Sequence, residues 1–134
     1  VRLLPLLLEG VSENDQEYYM SEGCTYFALA LNEVFDYEIL LLKDEARMWD
    51  EKFQMIPHVF CNDDYLQPVD IKGKRSFQEV LSDFPEVEDP RTEEITSSRL
   101  IEKYMGPNKP FFNYDSEEIE RSKEIIQSNK KLFK

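Results

Sequence analysis

The stretch that most limits what this chain can fold into is YEILLLK, residues 37–43. Its apolar side chains are nearly continuous, so it lacks the alternation of a half-exposed strand. It reads as a β-strand buried on both faces. A chain of 134 residues that is 41% apolar can build the core such a strand needs, in one domain spanning 1–134. Just before it, Phe27, Ala28, Leu31, Val34 and Phe35 recur at helical spacing from Cys24, and Asp36 closes the stripe. A helix that opens on a cysteine and leads into a buried strand is therefore expected.

Further along, MIPHVFCN (55–62) and YLQPVDIKG (65–73) read as two strands of a hairpin turning at Asp63 and Asp64. Pro57 and Pro68 lack a backbone donor, which puts them toward an edge or bulge. Ser76, with Glu79 three residues later, has the capping-box pattern and starts a helix through Phe84. Pro85 and Pro90 frame an acidic loop. TSSRLIEKYMG reads as a helix stopped by Gly106, and DSEEIERSKEIIQSNKKLF as a last one capped by Asp115 or Ser116. The polar VSENDQEYYMSEG is expected to hold a short helix or turns. The leucine-rich opening reads as a short helix packed on the body, and DEARMWDEKFQ as a charged excursion. Trp49 and the tyrosines of 18–26 either rim a cleft or pack. The order predicts an α+β fold: a small antiparallel sheet packed against the helix from Cys24, with additional C-terminal helices, all on one side of the sheet.

The net charge is −12 with no basic patch, which argues against binding a nucleic-acid backbone. No apolar run approaches the roughly 20 residues of a membrane span. The opening VRLLPLLLEG contains Pro5 and no small-residue cleavage site, so it is not read as a signal peptide. Two cysteines without a framework spacing point to a reducing compartment, and a cytoplasmic protein is expected. Asp63 and Asp64 are adjacent and unsupported by spaced ligands, so they read as turn residues. Neither a metal nor a cofactor is expected. KGKR (72–75) reads as a small solvated basic spot.

The chemistry-bearing residues are few. His58 is the sole histidine. Alternation places His58, Phe60 and Asn62 on one strand face and Val59 and Cys61 on the other, so Cys61 is expected to be a packed core thiol. Cys24 is then the thiol that can meet the imidazole, at a helix N-terminus that favours a thiolate. Asp70 shares the His58 face if the hairpin loop has three or five residues. A two-residue turn would throw it to the far side. Together, Cys24 would be a nucleophile, His58 its base and Asp70 the group that orients the ring. The Cys24 N–H would serve a developing oxyanion, with a second donor from Tyr18, Tyr19, Ser21 or Glu22.

GCTYFALAL, then PHVFC, then YLQPVDIKG resembles the papain-like cysteine peptidase fold in its small bacterial and phage-type forms. The resemblance covers residues 18–76, and 77–134 is left as a helical C-terminal extension. It matches Cys24 to the nucleophile, His58 to the base and Asp70 to the orienting acid. Where the papain signature has Gln six residues before the cysteine, Tyr18 stands here, and Tyr26 supplies the aromatic two residues after it. The resemblance implies a cysteine-dependent hydrolase or acyl transferase acting on an amide bond of a protein or peptide, of peptidase or deamidase type. The competing expectation is a non-catalytic acidic interaction protein or inhibitor on the same scaffold, including mimicry of a polyanion.

Overall fold

The computed structural model describes residues 11–47, 56–105 and 113–134. The leucine-rich opening, Trp49 and the Gly106 helix stop fall outside these residues.

Helix α1 (Glu13–Met20) starts at Ser12, whose hydroxyl accepts from the Asp15 N–H. Helix α2 (Cys24–Phe35) begins and ends where its apolar stripe does, and Asp36 closes it in the left-handed region at φ 61°. Strand β1 (Glu38–Asp44) follows and is buried from Ile39 onward. After a short 3-10 turn (Glu45–Arg47) come β2 (His58–Asn62), β3 (Pro68–Asp70) and β4 (Gly73–Lys74). Helix α3 (Phe77–Ser82) carries the full Ser76–Glu79 capping box and stops two residues short of Phe84. Strand β5 (Pro90–Ile95), α4 (Ser97–Tyr104), α5 (Ser116–Ser128) and α6 (Lys130–Phe133) complete the chain.

The fold is α+β, with a five-stranded antiparallel sheet in the order β4-β3-β2-β1-β5. Three expectations need correction. A strand runs over 90–95, where the sequence reading places no element beyond the acidic loop framed by Pro85 and Pro90. Its side chains are charged and exposed, so it carries no hydrophobic alternation, and its pairing with β1 is what makes it a strand. The last helix is broken at Asn129, whose side-chain amide donates to the Ile125 carbonyl. And the helices do not all lie on one side.

On one face, Ile39, Leu41, Val59, Cys61, Val69 and Ile71 join Phe27, Ala28 and Leu31 of α2 in the main core, with Ile119 and Ile126 of α5 and Phe133 of α6. On the other, Leu40, Leu42 and Phe60 pack against Phe77, Leu81 and Phe84. The continuous apolar run of β1 requires this second layer, because its even-numbered leucines would otherwise face water. The segment after residue 76 is likewise no appendage, since it supplies β5, the second layer and, through Leu100, Ile119, Ile126 and Phe133, part of the main core.

Candidate active site

Cys24 is the first residue of α2, and Gly23 is its N-cap without any side-chain cap. The first bond of the helix runs from the Phe27 N–H to the Gly23 carbonyl. The N–H groups of Cys24, Thr25 and Tyr26 therefore have no partner within the helix. Gly23 is needed for its lack of a side chain. A methyl group there would overlap the Tyr18 ring and lie 2.7 Å from Cδ1 of Tyr19. The two tyrosine rings meet edge to face across 4.9 Å and form the wall against which the helix starts.

The Tyr19 hydroxyl donates to Glu118 of α5 at 3.2 Å. Burial, with Glu118 and Tyr26 nearby, pushes the Tyr18 phenol up to about 12, so it is protonated at neutral pH. Tyr26 donates to the Asn113 carbonyl. All three phenols thus face the α5 side.

His58 opens β2. Cys61 pairs with Val69 and Asn62 with Pro68, which leaves 63–67 as a five-residue loop. Continuing that register sets Asp70 diagonal to His58 on the same face. Asp63 holds the loop, because its Oδ1 accepts from the Tyr65 N–H at 2.8 Å and the Gln67 N–H at 3.0 Å. The outcome is a hydrogen bond of 3.0 Å between His58 Nε2 and Asp70 Oδ2, with both side chains buried.

The His58 ring is stacked on Phe60, at 5.9 Å and 12°, and faces Phe84 at 5.0 Å. Burial works against a charge on the imidazole. The Asp70 hydrogen bond and the neighbouring Cys24 sulfur outweigh it, and the His58 pKa is raised to about 9. Nε2 is committed to Asp70, so Nδ1, which has no partner among the described residues, is the nitrogen available to the thiol. The Cys24 sulfur is near enough to raise the ring's pKa although α2 packs on one face of the sheet and Phe60 on the other, each of the two residues being the first of its element. Cys24 is 2% exposed and His58 0%. Cys61, by contrast, lies under α2 and donates its S–H to the Ala28 carbonyl at 3.3 Å. Burial pushes its thiol far up.

The basic run 72–75 corrects its reading as a solvated spot. After the two-residue turn at Ile71 and Lys72, Gly73, at φ 91°, opens β4 opposite Asp70, and the chain runs on to set Arg75 beside Asp70. Asp70 Oδ1 accepts from the Lys72 N–H at 2.9 Å, and Oδ2 accepts from Arg75 Nη2 at 3.1 Å as well as from His58. Arg75 Nη1 reaches Asp83 at 2.8 Å, and Lys72 Nζ reaches the other Asp83 oxygen at 3.0 Å. Lys74 pairs with Asp63 at 3.1 Å. Burial opposes ionisation of Asp70, but His58, Arg75 and the Lys72 N–H prevail and its pKa is lowered. Sequence reasoning missed Arg75 and Asp83. The usable signal was a cation two residues past a glycine turn that follows a candidate catalytic carboxylate.

A groove of about 360 Å³ borders this network. It lies between Glu13, Gln16, Glu17 and Met20 of α1 and Lys72, Asp83 and Phe84. Among the described residues, no group of His, Cys, Asp and Glu could hold a metal ion, and no helix is long and apolar enough to cross a membrane. No protein-family model matches the chain, and neither does any curated protein or solved structure.

Proposed function

We propose that the chain is a thiol hydrolase or acyl transferase acting on an amide bond of a protein or peptide. The observation that carries this reading is the His58–Asp70 hydrogen bond on a ring whose other nitrogen is free for Cys24. With Nε2–H donated to Asp70 and its proton affinity raised, the ring holds at Nδ1 the proton drawn from Cys24, and the sulfur attacks the carbonyl carbon. The uncapped N–H groups at the start of α2 donate to the oxygen as charge develops there. His58 returns the proton to the departing amine, leaving a thioester. The ring then draws a proton from water, which attacks the thioester, frees the acid and restores the thiol. A peptide is proposed to approach along the groove beside Lys72, Asp83 and Phe84, whose Phe84 ring faces His58. Because the Tyr19 hydroxyl is committed to Glu118 and the Tyr18 phenol faces the same side, the main-chain N–H groups are the better oxyanion donors.

Iodoacetamide labelling tests this. Near pH 7, Cys24 is expected to react at least tenfold faster than Cys61, and His58→Ala to erase the difference. Equal, slow labelling of both thiols would overturn the enzyme reading. That result would instead support an acidic binding protein on this scaffold, a reading favoured by the burial of both Cys24 and His58.

A further inference from the structure

We propose that Arg75 is a positioning residue that sets the proton affinity of His58 by sharing one oxygen of Asp70 with it. The inference deepens the thiol-enzyme reading and takes its catalytic meaning from it, although its test does not depend on activity.

The geometry is a closed circuit. His58 Nε2 and Arg75 Nη2 both bond Asp70 Oδ2, at 3.0 and 3.1 Å. Arg75 Nη1 continues to Asp83, the C-cap of α3, and the next residue, Phe84, faces the His58 ring. The Arg75 side chain is 15% exposed, so water screens these contacts weakly. Its main chain is fixed as well, because its N–H donates to the Pro68 carbonyl at 3.1 Å. A cation on the same oxygen withdraws part of the carboxylate's charge from the imidazole. Asp83 in turn draws Arg75 partly away from Asp70. The charged and titratable groups around the ring are thus Cys24 from α2, Asp70 from β3, Lys72 and Arg75 from the β3–β4 turn and its exit, and Asp83 from α3.

This arrangement has a chemical purpose. An imidazolium held by an unshared carboxylate gives up its proton reluctantly and is a poor acid toward a leaving amine. Arg75 keeps Asp70 ionised and oriented while limiting its hold on that proton. A lysine could carry the charge, but it lacks the planar fork that bonds two carboxylates at once.

The chain has one histidine, so its imidazole resonances in a pH titration followed by NMR need no assignment. Arg75→Met is expected to raise the His58 midpoint by about half a unit to one unit, and Arg75→Lys to give a smaller rise. Asp83→Asn, at a partly exposed site, should shift the midpoint the opposite way, since Arg75 then turns wholly to Asp70. It supplies the test if Arg75→Met does not fold. An unchanged or lowered midpoint in folded Arg75→Met, or an unchanged or raised one in Asp83→Asn, overturns the inference. Iodoacetamide labelling of the same samples separates the two ideas. Shifts as expected with no preference for Cys24 leave the Arg75 role standing and remove the enzyme reading. A preference for Cys24 without the shifts does the reverse.

Discussion

Two single residues set the terms of the site. Gly23 lets the start of α2 press on the rings of Tyr18 and Tyr19, and Gly23→Ala must push one ring aside. It is expected to cost about 1–3 kcal/mol, read from urea unfolding, and to slow alkylation of Cys24. His58 makes stability depend on pH. Its folded pKa of about 9 lies above the ordinary 6.5, so its contribution is complete below 6.5 and drains away as pH rises through 9. Urea midpoints should therefore fall across that window, and His58→Gln should flatten this part of the profile. Asp70 acts in the other direction: its contribution is whole above the ordinary carboxylate pKa and is lost as the solution is acidified from there down through its lowered pKa. Of these residues, His58 and its shared face with Asp70 were legible from alternation, given an odd loop. Arg75 was not, because a basic run looks the same whether its members face water or carboxylates.

At the scale of elements, local chemistry was the dependable guide. Helix α2 was legible from its stripe to its last residue, and the capping box marked α3. Ser76→Ala removes that cap and is expected to cost about 1 kcal/mol by chemical unfolding. It should also disturb His58, because α3 carries Asp83 and leads into Phe84. Strand β5 was illegible for a physical reason. An outer strand with charged side chains draws its order from pairing with β1, and pairing leaves no pattern in its own letters.

At the scale of the whole molecule, the two-sided sheet joins elements from both halves of the described sequence. Leu41 is fully buried in the larger core, and Leu41→Ala is expected to cost about 2–5 kcal/mol. A fragment ending at residue 76 keeps Cys24, His58 and Asp70 but loses β5, α3 and α5. It is expected to show no cooperative unfolding transition by circular dichroism, whereas an independent core would show one. The resemblance drew its boundary at 76 because the motifs end there, but packing does not. The smaller core on the far face was implied by YEILLLK itself, whose alternate leucines need cover on both sides.

The sheet's two margins are unlike. Near β4, the Leu132 carbonyl of α6 lies 3.2 Å from where a side chain on Gly73 would begin. β5 is outermost at the opposite margin and presents Arg91, Glu93 and Glu94 to solvent. A second copy sliding alongside it would bring like carboxylates together and have to strip their water. At this margin, outermost among the described strands, the molecule is thereby guarded against stacking into fibrils.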